Sequence, residues 1–169
     1  MKEINLRVLH KNIEQRIQIY TYYTGEARKE IGVPERLAAQ MQVSSDDSTQ
    51  LEDHISNAIA ELGNLISRYF AICSIEEIEG NSANESKIYL FTLLIPAMFP
   101  ETVLSRIEKS MESYAVKRAL QQWLLQHRPE EAAIPASEAQ TIALQLRELF
   151  ALRQKPIIKL EKPDDIIDL

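Results

Sequence analysis

Lys87-Ile88-Tyr89-Leu90-Phe91-Thr92-Leu93-Leu94-Ile95 decides how this chain folds. Successive side chains of a strand point to opposite faces. Ile88, Leu90 and Leu94, with Thr92 among them, therefore share one face. Tyr89, Phe91, Leu93 and Ile95 share the other. Both faces are apolar, so both need cover. Helices of the same domain can supply one cover. The second face requires another layer or a neighbouring subunit, which makes Tyr89, Phe91 and Leu93 expected contact residues.

Upstream lies Gly80-Asn81-Ser82-Ala83-Asn84-Glu85-Ser86, made entirely of turn-forming residues. Before it, Ile72 to Glu79 reads as a second strand. The pair predicts a β-hairpin over about 72–95 with a long exposed loop. Ile4, Leu6 and Val8 alternate with Asn5 and Arg7, which predicts a short N-terminal strand beside the hairpin.

Helical spacing accounts for most of the remainder. Ile13, Ile17 and Tyr20 predict a helix over Lys11–Tyr23, with Thr24-Gly25 as a stop and helical character resuming through Glu26–Ile31. Residues 35–42 fit one or two helical turns. Ser44-Ser45-Asp46-Asp47-Ser48 is a helix-start cluster, whose short oxygens and carboxylates suit a helix N-terminus. Leu51, Ile55, Ala58, Ile59, Leu62, Leu65, Ile66 and Tyr69 then form an apolar stripe, so a long helix is expected over about 47–70. Gly63 inside it costs about 1 kcal/mol relative to Ala, which points to another element packed closely there. A second long helix is expected over 101–127, with Pro100 opening it and Arg128-Pro129 closing it. A third is expected over 137–152. The fold class is mostly α (α+β): three main helices, two of them long, with a small antiparallel sheet. One domain spans 1–152, and 153–169 is an extended C-terminal tail. That tail has two prolines and no helical stripe, yet holds Ile157, Ile158, Leu160, Ile166, Ile167 and Leu169, more aliphatic residues than a solvated segment usually carries.

The chain has 169 residues, suiting one domain, and a net charge of −6, the wrong sign for gripping nucleic-acid phosphates. Direct nucleic-acid binding is not expected. A single Cys rules out an internal disulfide framework. No stretch approaches a membrane span, and the charged start, Met1-Lys2-Glu3, lacks a signal peptide's apolar core. A soluble, cytosolic protein is expected.

Recognisable chemistry is sparse. His10, His54 and His127 are far apart and read as surface or boundary residues, without the two-histidine helical metal motif. Cys73 reads as a buried, inert thiol. Gly25, Gly32, Gly63 and Gly80 form no phosphate-cradling loop. Asp46-Asp47 is explained by helix capping, and one of Glu76-Glu77 must face solvent. Tyr20, Tyr22 and Tyr23 read as core packing plus one exposed ring, and Trp123 as core. Lys109, Lys117, Arg118 and Arg128 give the second long helix a basic, solvated side. No catalytic residue, metal or cofactor is expected.

Several landmarks occur in a familiar order: Tyr20-Thr21-Tyr22-Tyr23-Thr24-Gly25-Glu26-Ala27-Arg28, then Asp46-Asp47-Ser48-Thr49-Gln50-Leu51, then Leu93-Leu94-Ile95-Pro96-Ala97-Met98-Phe99. Glu112-Ser113-Tyr114-Ala115-Val116-Lys117-Arg118-Ala119-Leu120-Gln121-Gln122-Trp123 follows, then Glu130-Glu131-Ala132 and Leu152-Arg153-Gln154-Lys155-Pro156. In these the chain resembles small structural-module proteins of phages and prophages of gut Bacteroidetes. It is also loosely similar to the head–tail connector proteins of tailed phages, which assemble into rings at the portal. The resemblance implies a non-catalytic particle component, located in the virion or the host cytoplasm. It also implies a ring-forming homo-oligomer that meets portal, adaptor or tail proteins. The tail from Arg153 would fit this role by lying along a neighbour as an added strand, burying Ile157, Ile158, Leu160, Ile166 and Ile167. Whether it docks on its own chain or on a partner stays open at this point. The alternative is a small adaptor or regulatory protein of a mobile element.

Overall fold

A computed structural model describes residues 1–32, 34, 43, 47–80 and 87–152. The elements run β1 (Lys2–Leu9), α1 (His10–Glu30), α2 (Ser48–Ile66), β2 (Ala71–Glu79), β3 (Lys87–Ile95), α3 (Leu104–His127) and α4 (Ala133–Ala151). Short 3-10 turns at Glu101–Val103 and Pro129–Glu131 introduce α3 and α4. The mostly helical fold with a small antiparallel sheet is as expected, but the described residues hold four helices rather than three main ones. The expected turn at 35–42 and the tail at 153–169 lie outside the described residues.

The fourth helix is α1, which passes through Thr24-Gly25 and continues to Glu30. The Thr21 and Thr24 hydroxyls donate back to the carbonyls of Ile17 (3.0 Å) and Tyr20 (2.8 Å). These bonds occupy side chains that otherwise compete with the helix. Gly25 is buried inside the helix and does not end it. The turn comes instead at Gly32, whose φ of 88° lies in the left-handed region that a glycine tolerates.

Helix α3 is the axis of the molecule and touches α1, α2 and α4. Its buried residues, among them Ile107, Met111, Tyr114, Val116, Leu120 and Trp123, lie on more than one side for that reason. Helix α1 runs alongside it in the same direction: Asn12 and Arg16 reach Glu112, and Arg28 pairs with Glu131. Helix α2 runs oppositely, with Gln50 bonded to Gln126, His54 to Gln122 and Glu61 to Arg118. The basic side of α3 is not free. Lys117 pairs with Glu138 at 2.6 Å and Arg118 with Glu61 at 2.5 Å.

The strand order is β1-β3-β2, all antiparallel, so the double-faced strand lies at the centre. In register, Leu6 faces Phe91, Val8 faces Tyr89, and Ile75 faces Phe91 from the other side. Tyr89, Phe91, Leu93 and Ile95 are buried in the main core together with Leu6 and Val8. The expectation that Tyr89, Phe91 and Leu93 form an intermolecular contact is therefore corrected: the chain's own helices cover that face. Gly63 meets its predicted close neighbour. A Cβ there would lie 2.7 Å from Ile75 Cδ1.

Candidate functional site

The outward face of the sheet is built from the residues left over by that register. Ile88, Leu90, Thr92 and Leu94 run down the centre and are half-buried. None belongs to the core cluster or packs against it. On β1 the same face carries Glu3, Asn5, Arg7 and Leu9; on β2 it carries Ser74, Glu76 and Ile78. Thr92 donates to Asn5 Oδ1 at 3.0 Å across the strands. One row of the register reads Arg7, Leu90, Glu76. The face is thus an aliphatic strip flanked in that row by opposite charges, with a second acidic residue, Glu3, on the β1 side.

The two sheet edges differ. Along β1, Glu108 of α3 accepts from the Arg7 backbone N–H at 2.9 Å, and Glu101 pairs with Lys2 at 2.7 Å. Among the described residues, strand β2 pairs with β3 alone. Its register shift between Ile72 and Ser74 leaves Cys73 as an extra residue, the geometry of a β-bulge. Cys73 is exposed, not the buried thiol expected from sequence. Glu76 and Glu77 are both exposed.

A polar cluster lies where the sheet meets the helices. A cavity of about 180 Å³ is lined by His10, Glu14, Ser48, Leu51, Glu52 and Lys87. His10 Nδ1 and the Tyr89 hydroxyl share a hydrogen bond of 3.1 Å, and both side chains are buried. Burial lowers the His10 pKa below its ordinary 6.5, against the opposing pull of Glu14. Burial also raises that of Tyr89. Lys87 is bonded to Glu52 and, at 3.0 Å, to Glu77. Those two carboxylates push the Lys87 pKa up, and the Lys87 hydrogen bond pulls that of Glu52 down. The ammonium is neutralised on both sides, so the cluster works as a bracket. It ties the hairpin to the start of α1 and to α2.

Of the three histidines expected at the surface or boundary, His127 is half-buried, as a boundary residue is, whereas the other two are buried. His10 and His54 are each 7% exposed. His54 Nδ1 lies 3.2 Å from Gln122 Oε1, and His127 Nδ1 lies 2.9 Å from the Trp123 carbonyl. No group of three His, Cys, Asp or Glu able to hold a metal occurs among the described residues. Trp123 is core, as its spacing predicts. Tyr22 and Tyr23 are both exposed, one ring more than expected. Asp47 occupies the N-cap of α2 without a side-chain capping bond, and Asp46 lies outside the described residues. A shallow groove of about 640 Å³ between α1 and α3 is lined by Ile19, Tyr20, Tyr23 and Leu120, with Arg16 and Lys117 at its rim.

Of the interface residues expected from sequence, Ile157, Ile158, Leu160, Ile166 and Ile167 lie outside the described residues. Sequence reading missed Leu9 and Ile78 as members of the open face, and the bracket around Lys87. Alternation along β3 is the signal for the first pair. Nothing local signals an ion pair 35 residues apart, Glu52 to Lys87. No helix among the described residues is long and apolar enough to cross a membrane. No family profile, curated protein or solved structure matches this chain.

Proposed function

We propose that this chain is a non-catalytic assembly protein that associates with copies of itself through the outward face of its sheet. The observation that carries this reading is the strip Ile88, Leu90 and Leu94, central in the sheet yet outside the core. Each such side chain gains about 1.5–3 kcal/mol on full burial, before the ordering costs of association. A second copy is a fitting cover. With two faces stacked about a two-fold axis, Arg7 of one molecule lies over Glu76 of the other, and aliphatic strips meet between them. A two-fold contact closes at a dimer, so a ring would need a second, head-to-tail contact. The sequence resemblance to phage structural modules and head–tail connectors gives the association a setting, a ring of such units in a phage or phage-like particle, beside portal, adaptor or tail proteins, in the virion or host cytoplasm.

Sedimentation of the purified chain, alone and with portal and tail proteins of the same element, tests the proposal. The expected result is a concentration-dependent multimer or a stable complex. A monomer at every concentration that binds none of those proteins ends it.

A further inference from the structure

Helix α1 is apolar on two sides. Ile13, Ile17, Thr21 and Gly25 are buried on one of them. Arg16, Ile19, Tyr20, Tyr23 and Ala27, also three or four residues apart, form a second stripe. That stripe lines the groove opposite Val116, Lys117 and Leu120 of α3. Ile19 is 55% exposed and Tyr23 68%, and neither belongs to the core cluster or packs against it. The Tyr22 ring stands edge-on to that of Tyr23 at 5.7 Å and widens the aromatic rim. From Arg16 to Ala27 the groove follows α1 for roughly 16 Å, about three turns of helix. Val116 and Leu120, both buried, make its floor.

We propose that this groove receives an amphipathic helix of a partner protein, one that carries carboxylates beside its apolar stripe. The shape is that of helix-in-groove recognition. Two parallel helices form a trough, and apolar anchors three or four residues apart on an incoming helix fit between Tyr23 and Leu120. Tyrosine and arginine around an aliphatic floor are the residue types that carry binding energy at interfaces. The charge selects the partner. Arg16 and Lys117 line the groove and no carboxylate does, although the chain as a whole has a net charge of −6. Outside the groove Arg16 meets Glu112 at 3.3 Å, and Lys117 meets Glu138 at 2.6 Å. Partly exposed pairs of this kind are weak, and they hold the two cationic heads at the rim. Lys117 also lies 5.3 Å from the centre of the Tyr20 ring. A guanidinium has five N–H donors, so Arg16 can take a second carboxylate without releasing the first. An acidic helix therefore gains both the floor and the rim, an uncharged one gains the floor alone, and a basic one is repelled.

Three synthetic peptides of about twelve residues, long enough to fill the groove, supply the test. Each is held helical by a hydrocarbon staple and carries leucines three and four residues apart. Their flanking positions are all Glu, all Gln or all Lys. Titration into the isotope-labelled full chain, followed by NMR, reads affinity and place together. The Glu peptide is expected to bind at least about tenfold tighter than the Lys peptide, with the Gln peptide between them. It is expected to shift amides of α1 and α3 along the groove. Ile19→Ala with Tyr23→Ala is expected to weaken the Glu peptide about tenfold and to leave the unfolding midpoint unchanged. Arg16→Gln with Lys117→Gln is expected to erase the preference for Glu over Gln. Equal binding of the three peptides, no binding of the Glu peptide, or shifts confined to other surfaces overturn the proposal. So does an Ile19→Ala, Tyr23→Ala chain that loses self-association and keeps peptide binding, which makes a second copy the occupant. Leu90→Glu, on the sheet face, is expected to leave peptide affinity unchanged, and a loss there overturns the proposal too. A chain that binds the Glu peptide in the groove yet never self-associates keeps this inference and loses the assembly reading.

Discussion

The two faces of β3 have similar composition and opposite fates. Tyr89, Phe91 and Leu93 are sealed inside the chain, while Ile88, Leu90 and Leu94, one residue out of phase, are not. A one-residue step moves a side chain to the other side of a sheet. Hydrophobicity thus sets how much of this strand wants cover, and topology sets which half receives it internally. The sharpest way to break the comparison is to truncate one residue on each face. Phe91→Ala removes a fully buried ring and is expected to cost about 3–5 kcal/mol. Leu90→Ala in the monomeric chain is expected to cost under about 1 kcal/mol, because no cavity forms. Urea unfolding of both variants at low protein concentration checks this. Equal costs would mean that Leu90 is covered within the molecule.

A charge on the open face separates folding from association. Leu90→Glu is expected to leave the unfolding midpoint nearly unchanged. It is expected to weaken self-association at least tenfold, or about 1.4 kcal/mol, as measured by sedimentation. The same substitution at Phe91 would bury an unpaired carboxylate and abolish folding. If Leu90→Glu leaves association intact, the contact lies elsewhere. The groove of Ile19, Tyr20 and Tyr23 would be the next place to look.

The double-sided character of Lys87–Ile95 was legible, and so were the hairpin, the strand at Ile4–Val8 and the α2 stripe. The inward face was not. Deciding it takes the pairing of Leu6 with Phe91 and Val8 with Tyr89, across more than 80 residues of sequence, and no local pattern carries that information. Thr24-Gly25 misled for the opposite reason: its local signal was real, but hydroxyl back-bonding and burial overrode it. Cys73 misled because strand membership says nothing about edge position. The stripe of α3 carried a different clue. A helix apolar on several sides needs several neighbours, and α3 has three.

Gly63 offers a finer test of how tightly the hairpin sits on α2. Alanine gains about 1 kcal/mol of helix propensity there, but its Cβ would meet Ile75 Cδ1 at 2.7 Å. That atom is the free end of a side chain that is 41% exposed, so it can swing aside at small cost. Gly63→Ala alone is expected to be near neutral. Gly63→Ala with Ile75→Val, which removes the clashing methyl, is expected to gain up to about 1 kcal/mol. Larger side chains, such as Gly63→Leu, have no such escape and are expected to cost about 1–3 kcal/mol. A gain from Gly63→Ala by itself would show that β2 rides loosely on the helix.

The smallest expected effect reports on the inward face most directly. His10 sits at the seam between sheet and helices, bonded to Tyr89, and burial holds its pKa below 6.5. Below that pH the unfolded chain takes up a proton that the folded chain resists. Stability is therefore full above about 6.5 and declines as pH falls through it. Unfolding midpoints measured from pH 7.5 to 5.5 are expected to drop on acidification in the wild-type chain and to drop less in His10→Gln. Equal slopes would mean that water reaches the ring in the folded state. The inward face would then be wetter at the Tyr89 end than at Phe91 and Leu93. The contrast between the two sides of β3 would hold only for the half of the strand nearest α4.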